Sequence, residues 1–273
     1  MTRMQLVVIG NGMAGMRTVE ELLQLAPDKY DITVIGREPH GNYNRIMLSP
    51  VLAGEKAFED IVIHPLSWYA ERGITLLAGH TVTGVDRVQR SVTTDQGAVV
   101  GYDRLLLATG SVPFMIPMPG HDHPDVISFR DIADVRRMLE PSATLPRVVV
   151  LGGGLLGLEA ANGLVKQGMA VTVVNDAAYL LNRQLDEEAS SLLRAALEAK
   201  GIVFKVSAVT SHISHNAETG KLNALHFKDG TELPCDLLVM AVGVRPNVAL
   251  ARSIGLQVDK AILVNVTMQT CDP

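Results

Sequence analysis

The sequence contains few cysteines, no cluster of basic residues and no long apolar segment. Its two cysteines, Cys235 and Cys271, form no CxxC pair, which excludes a zinc ribbon, a disulfide framework and a local dithiol redox centre. The net charge is −5 and no long run of Lys or Arg occurs, so nucleic acid is not an expected partner. No apolar segment reaches the about 18 residues of a membrane span, and residues 1–9 are too short for a signal peptide. We therefore expect a cytoplasmic protein that does not contact a membrane.

The composition is typical of a well-packed α/β protein. Hydrophobic residues make up 47% of the 273 residues and charged residues 19%, which is unlike a disordered or fibrous chain. This length accommodates one large or two medium domains. The eight histidines show no spacing typical of metal ligands, so no metal site is expected.

One pattern occurs twice, in which an apolar strand breaks at glycines and an amphipathic helix and a second strand follow. The predicted segments are residues 4–9, 13–25 and 31–36 in the first copy and residues 147–151, 155–168 and 170–175 in the second. Short strands with turn signals follow each copy, within residues 74–112 and 209–240, and predict a β-meander in each.

The repeat predicts an α/β fold with two Rossmann-like dinucleotide-binding domains, each with a β-meander insertion. The three prolines of residues 112–120 interrupt regular structure there and mark the crossing between the domains. We expect the first domain over residues 1–112, the second over residues 113–242, and a return to the first over residues 243–273.

Each copy contains a GxGxxG turn directly after its first strand. In such a turn the first glycine permits a tight bend, the second lets the backbone approach a pyrophosphate, and the third lets the helix pack closely on the strand. The alternative is a pair of glycine turns that only pack helices on sheets. Two dinucleotide sites in one chain indicate hydride transfer from a nicotinamide to a flavin. The glycines are Gly10, Gly12 and Gly15 in the first turn and Gly152, Gly154 and Gly157 in the second.

The second strand of each unit should end near an acid that accepts hydrogen bonds from a ribose hydroxyl. Glu38 meets this expectation in the first unit, although Arg37 is nearer to the strand end and could alter recognition of the adenine end. In the second unit the matching position is Asn175, followed by Asp176. No basic residue at 175–178 could hold a 2′-phosphate, so we expect NADH, with NADPH as the alternative.

Several segments resemble the FAD-dependent pyridine nucleotide reductase family. The segments "LLLATGS" at 105–111, "VVVLGGGLLGLEAA" at 148–161, "AVGVRPN" at 241–247 and "VNVTMQTCDP" at 264–273 are similar to its ordered signature blocks. The segment "GNYNRIMLSPVLAGE" at 41–55 most resembles the N-terminal flavin module of the NAD(P)H-dependent nitrite reductase large subunit. Together these segments extend over nearly the whole chain.

The resemblance implies an oxidoreductase that passes a hydride from NAD(P)H to FAD. The electrons would continue to downstream redox domains whose iron-sulfur and sirohaem centres reduce nitrite to ammonia. One alternative is an NADH-dependent rubredoxin or ferredoxin reductase serving a small redox protein, although such enzymes have Ser-Lys where this chain has Pro50. Another is a truncated nucleotide-binding module without turnover. The disulfide reductase branch is excluded, because the helix after Gly15 has no cysteine pair. A homodimer is compatible with the family.

The resemblance also assigns roles to individual residues. Glu159 would be the catalytic residue, with its carboxylate near the nicotinamide and flavin edge, or else an ordinary acid near a helix start. Arg45 would bind the FAD pyrophosphate through its guanidinium, with a surface salt bridge as the alternative. Arg130 would contact FAD at the domain crossing. The remaining implied cofactor-binding residues are Met13, Ala14, Ser49, Val82, Thr109, Gly110, Leu155, Leu156 and Gly243.

In that family, the segment corresponding to "MQTCDP" leads into a Gly-Asp sequence whose aspartate binds the ribityl chain of FAD. This sequence stops at Pro273 and is therefore expected to be a fragment. The iron-sulfur and sirohaem centres are expected only in domains that this chain lacks.

Overall fold

The computed structural model describes residues 3–140 and 146–272. Contacts within the chain divide it into two compact units. The first unit consists of Met1–Asn44, Ile61–Val112 and Arg245–Pro273, and the second of Arg45–Asp60 and Pro113–Val244.

The described residues form strands and helices whose bounds follow in chain order. The strands are β1 (Met4–Ile9), β2 (Tyr30–Gly36), β3 (Asn42–Tyr43), β4 (Val62–His64), β5 (Thr75–Ala78), β6 (Val82–Asp86), β7 (Ser91–Thr94), β8 (Val99–Gly101), β9 (Arg104–Leu107), β10 (Ser111–Pro113), β11 (Val126–Ser128), β12 (Arg147–Leu151), β13 (Ala170–Val174), β14 (Val203–Lys205), β15 (Thr210–His215), β16 (Leu222–Phe227), β17 (Glu232–Pro234), β18 (Leu237–Met240) and β19 (Val244–Pro246). The α-helices are α1 (Met13–Leu25), α2 (Leu48–Leu52), α3 (Leu66–Glu71), α4 (Ile132–Leu139), α5 (Leu155–Lys166), α6 (Glu187–Glu198) and α7 (Ala249–Ser253), and two short 3-10 helices span Arg45–Met47 and Glu59–Ile61.

The first unit is built on a parallel sheet with the strand order β5-β2-β1-β9. Val8 at its centre is opposite Val34 and Leu106, and α1 packs Met16 and Val19 into the same core. These helix positions are three residues apart, as an amphipathic helix with one buried face requires. The strands β6, β7 and β8 form the antiparallel meander. The prediction that this meander begins at residue 74 is wrong for β5, because β5 pairs in parallel with β2.

The second unit repeats this arrangement. Its parallel sheet has the order β11-β18-β12-β13-β14, and β15, β16 and β17 form its meander. Without its edge strand β11, the second sheet has the order β14-β13-β12-β18, which corresponds strand by strand to β5-β2-β1-β9 in the first sheet. The predicted α/β fold with two Rossmann-like units is therefore confirmed.

The segment of residues 45–60 differs from the prediction, since it clusters with the second unit. Its helix α2 packs on α5, where a Cβ atom at Gly163 would lie 2.9 Å from Leu52 Cγ. The side-chain amide of Gln167 donates to the carbonyl of Leu52 at 2.9 Å, and Lys166 forms an ion pair with Glu55. One face of α5 therefore holds this segment.

The prediction that prolines interrupt all regular structure over residues 112–120 is wrong at its start. The short strand β10 pairs with β19 in a two-stranded sheet. Pro113 is the last residue of β10. Both strands of a two-stranded sheet are edge strands, where the missing N–H of proline is tolerated. Over the described ranges 3–140 and 146–272, no helix has the length and apolar character needed to cross a membrane.

Candidate functional site

The first glycine of each GxGxxG turn is required by the fold. Gly10 has φ +118°, and a Cβ atom there would lie 2.1 Å from the carbonyl oxygen of Ala108. Gly152 has φ +122°, and its Cβ atom would lie 2.5 Å from the carbonyl oxygen of Ala241. Both the backbone conformation and the space exclude a side chain at these two positions.

The second and third glycines have different environments. Cβ atoms at Gly15 and Gly157 would lie 2.6 and 2.0 Å from the carbonyl oxygen of the first glycine in the same turn, so these glycines allow close packing. Gly12 and Gly154 have ordinary φ angles of −91° and −85°. Apart from the glycine itself and its two neighbours along the chain, no described residue has an atom within 4 Å of a Cβ placed at either position. Packing within the described residues therefore does not explain why glycine is present there.

Among the four described helices of eight or more residues, the two that follow the glycine turns begin without a side-chain cap. Within the described residues, neither α1 nor α5 has a side-chain cap or an acid in its first turn. By contrast, Asp131 caps α4 and Asp186 caps α6 through hydrogen bonds to backbone N–H groups. An uncapped helix N-terminus presents N–H donors and a positive dipole end. Both turns are thus suited to a phosphate, with donors in the first turns that contain the predicted residues Met13, Ala14, Leu155 and Leu156.

A buried polar network supports the first turn. The Tyr69 hydroxyl donates to Asn11 Oδ1 at 2.6 Å, and Asn42 Nδ2 donates to the carbonyl of Asn11 at 3.1 Å. Burial raises the pKa of Tyr69, which keeps the hydroxyl protonated as a donor. His64 Nδ1 lies 3.3 Å from Asn42 Oδ1. The sequence analysis named neither Asn11 nor Tyr69 as a site residue and missed the hydrogen bond between them.

Three more predicted residues of the first unit, Glu38, Thr109 and Gly110, lie after its strands. Glu38 follows β2 and accepts a hydrogen bond from the Tyr43 hydroxyl at 2.6 Å. Thr109 Oγ1 donates to the carbonyl of Asn247 at 2.7 Å, and the backbone N–H of Asn247 donates to the carbonyl of Gly110 at 2.9 Å. Asn247 therefore fixes the turn after β9. It was not a predicted site residue, although it ends the quoted block "AVGVRPN".

In the second unit, Asn175 follows β13 and is buried. Its Oδ1 accepts a hydrogen bond from the backbone N–H of Gly153 at 3.1 Å. Its Nδ2 donates to the carbonyls of Ala177 and Tyr179 at 3.2 and 3.1 Å. The side chain thus has partners on the protein for both amide hydrogens.

Asn175 and Glu38 do not occupy equivalent positions in the two units. In the first unit the N–H of Gly10 donates at 2.8 Å to the carbonyl of Ile35, the residue before Gly36. In the second unit the N–H of Gly152 donates at 2.8 Å to the carbonyl of Val174, the residue before Asn175. Gly36 and Asn175 are therefore counterparts. The carbonyl of Glu38 accepts a hydrogen bond from the N–H of Gly79, after β5, at 3.1 Å. The carbonyl of Ala177 accepts one from the N–H of Ser207, after β14, at 3.0 Å. The second unit therefore has no acid opposite Glu38, and its carboxylate beside that position belongs to the exposed Asp176.

Glu159 and its neighbours lie in the second unit. The Ser49 hydroxyl donates to Glu159 Oε2 at 2.5 Å, which orients this exposed carboxylate on α5. Arg45 Nη1 donates to the carbonyl of Arg130 at 3.2 Å, and the N–H of Arg130 donates to Asp134 Oδ2 at 2.6 Å. Burial raises the pKa of Asp134. The structure thus joins four predicted residues in two pairs.

Two predicted residues have structural surroundings of their own. Val82 begins β6 and packs with the apolar cluster that contains Val7 and Val92. Gly243 has φ +121°, a conformation that favours glycine, and its carbonyl accepts a hydrogen bond from Phe114 N at 2.9 Å. Their roles in cofactor binding remain predictions.

The two cysteines are free thiols with contrasting environments. Cys235 is buried and Cys271 is exposed. Burial raises the pKa of the Cys235 thiol to about 12, so this group stays protonated and unreactive at neutral pH. In the ranges 3–140 and 146–272, no group of three or more His, Cys, Asp or Glu side chains could hold a metal ion.

The comparisons with known proteins agree with two Rossmann-like units. Residues 4–273 match the family described as pyridine nucleotide-disulphide oxidoreductase, and the chain belongs to this family. It is 47% identical over 270 residues to a nitrite reductase [NAD(P)H] of Bacillus subtilis, covering 99% of this chain and 33% of that protein. It is 45% identical over 273 residues to the assimilatory nitrate reductase electron transfer subunit of the same organism, covering 100% of this chain and 35% of that protein.

A solved structure, the covalent putidaredoxin reductase-putidaredoxin complex, resembles the whole chain with a TM-score of 0.91 at 30% identity, covering 66% of the matched chain. The chain spans about a third of the length of the two Bacillus subtilis relatives. The fold and the family thus place the chain among the pyridine nucleotide-disulphide oxidoreductases with two Rossmann-like units.

Proposed function

We propose that the first unit binds FAD and that the second binds NADH. One observation carries this proposal, namely that both GxGxxG turns combine an uncapped helix N-terminus with a second glycine that no described atom crowds. Binding of a pyrophosphate would explain why glycine is present at positions 12 and 154, because the pyrophosphate must approach the backbone closely there. The cofactor requirement of the family agrees with this fit.

A bound nicotinamide nucleotide supplies a hydride, and a bound flavin accepts it and releases electrons singly. The residues of this chain bind the two nucleotides and orient the nicotinamide. The N–H groups at the starts of α1 and α5 hold phosphates, and Glu38 and Asp176 accept hydrogen bonds from ribose hydroxyls. Glu159, held by Ser49 at 2.5 Å, orients the nicotinamide and balances charge.

We further propose that the electrons leave for nitrite-reducing centres of a longer protein, as the names of the two Bacillus subtilis relatives suggest. A small ferredoxin-type protein is the second candidate acceptor, since the putidaredoxin reductase in the similar complex is bound to such a partner.

The proposal is tested by reconstituting the purified chain with FAD and adding NADH under argon. We expect one flavin per chain and bleaching of its visible absorbance, followed by recovery when ferricyanide is added. A chain that binds no flavin, or a bound flavin that NADH does not reduce, would contradict the proposal.

Discrimination between NADH and NADPH should depend on Asp176. Its exposed carboxylate after β13 repels a 2′-phosphate and accepts from a 2′-hydroxyl, so kcat/KM is expected to be higher with NADH. Asp176→Ala should raise KM for NADH by about tenfold, since it removes the charged acceptor of a hydrogen bond that contributes about 1.5 kcal/mol or more. It should change NADPH turnover little or increase it. Steady-state ferricyanide reduction with each nucleotide measures both values, and a wild-type preference for NADPH would sink the idea.

A further inference from the structure

The two dinucleotide units share an asparagine-glycine pair whose members have exchanged positions. In the first unit, Asn11 follows the first glycine of the turn and Gly36 ends β2. In the second unit, the corresponding positions are Gly153 and Asn175. The backbone hydrogen bonds described above make Gly36 and Asn175 counterparts.

The two asparagines make equivalent hydrogen bonds from opposite sides. Asn11 Nδ2 donates to the carbonyl of His40 at 3.0 Å, and His40 is the fourth residue after Gly36. Asn175 Nδ2 donates to the carbonyl of Tyr179 at 3.1 Å, which is the fourth residue after Asn175. Each amide therefore holds the loop after the second strand at the same point of its unit.

The space at each pair accommodates one side chain. A Cβ atom at Gly36 would lie 2.7 Å from Cβ of Asn11, and a Cβ atom at Gly153 would lie 2.8 Å from Cγ of Asn175. Both distances are shorter than unstrained carbon contacts. Because neither of these glycines has a positive φ, the space filled by the partner asparagine explains why glycine is present.

We propose that Asn11 and Asn175 are positioning residues for the adenosine ends of the two cofactors. Each amide ties the loop that contains the ribose-binding acid, Glu38 or Asp176, to the glycine turn that holds the pyrophosphate. The ribose and pyrophosphate contacts then have a fixed separation before the nucleotide arrives. This inference rests on the proposed function, and it assigns to Asn175 a role in loop geometry in place of direct ribose binding.

The second unit provides the sharper test. Asn175→Gly should raise KM for NADH by about tenfold, because two hydrogen bonds to the loop are lost. The kcat at saturating NADH and the flavin content should stay near wild type, since the reacting end and the first unit are unchanged. Asn182→Gly is the matched control, because Asn182 is exposed in the same loop and should leave KM unchanged.

The exchange itself is the decisive variant. The double substitution Gly153→Asn with Asn175→Gly copies the arrangement of the first unit and should restore most of the affinity lost in Asn175→Gly. Gly153→Asn alone places two side chains in one space and should raise KM for NADH more than Asn175→Gly or the double variant does. The terminal methyl of Leu180, 3.0 Å from a Cβ at position 153, must shift slightly in the double variant, which a flexible side chain allows.

Amide hydrogen exchange of the nucleotide-free protein separates failure of this inference from failure of the proposed function. Exchange at residues 177–179 should be faster in Asn175→Gly and slower again in the double variant. Wild-type protein that does not oxidise NADH would overturn the proposed function, while the exchange rates still decide the loop role. Unchanged KM and exchange in Asn175→Gly, or a double variant that regains thermal stability but not KM, would overturn the inference.

Discussion

Gly12→Val is expected to abolish FAD binding while the first unit stays folded. Beyond the chain neighbours of position 12, no described residue has an atom within 4 Å of a Cβ there, and the φ angle of −91° is one that valine adopts readily. The new side chain occupies the space through which a pyrophosphate approaches the turn. We expect FAD affinity to fall by about 100-fold or more, or about 2.7 kcal/mol, against a loss of unfolding free energy of about 1 kcal/mol from the poorer helix cap. Isothermal titration calorimetry and urea unfolding measure the two quantities.

Gly154→Val is the matched control for this experiment, because position 154 has the same open surroundings in the second unit. It should leave flavin content intact and weaken NADH binding instead. A Gly12→Val protein that remains fully yellow would show that the first turn does not hold the flavin. Loss of the same cofactor in both variants would contradict the assignment of FAD to the first unit.

Local pattern was enough to predict the repeated units. The spacing of apolar residues predicted a helix over residues 13–25, and α1 has these bounds. The strand over residues 147–151 also agrees with β12. Both elements follow a period set by their own backbone geometry, and a glycine marks one boundary of each, Gly12 before α1 and Gly152 after β12. Neighbouring sequence therefore contains the required information.

Other features depend on contacts between distant parts of the chain. Residues 45–60 cluster with the second unit because α5 offers Gly163 as a gap for Leu52, and no local period encodes that pairing. The motif also gives the three glycines of each turn without distinguishing their reasons. One glycine avoids a carbonyl, one permits helix packing, and one leaves open space, and these differences exist only in three dimensions.

The role of Asn175 illustrates the same limit for the candidate site. Counting residues from the glycine turn matched it to the strand-end acid, because such a count treats each position separately. The structure shows that its side chain fills space over Gly153, as Asn11 does over Gly36 in the other unit. The two asparagine-glycine pairs fill the same space and make the same hydrogen bond to the loop. The asparagine nevertheless stands at a different sequence position in each unit.

The first glycine of each turn should behave in the opposite way to the second. Gly152→Ala places a Cβ atom 2.5 Å from the carbonyl oxygen of Ala241 at φ +122°, so it combines backbone strain with a backbone clash that no rotamer relieves. Strain of about 1 to 3 kcal/mol and overpacking of about 1 to 3 kcal/mol together predict a loss of about 2 to 6 kcal/mol in the free energy of unfolding. This is a large part of the about 5 to 15 kcal/mol that stabilises a typical domain.

Urea unfolding of the nucleotide-free protein tests this expectation, with Gly154→Ala as the control two residues along the same turn. The control should unfold within about 1 kcal/mol of wild type, because position 154 lacks neighbours among the described residues and alanine is only a poorer helix cap there. Equal stability of Gly152→Ala and Gly154→Ala would mean that the backbone at Gly152 relaxes without cost. The close approach of Ala241 to the turn would then not be the reason for glycine at that position.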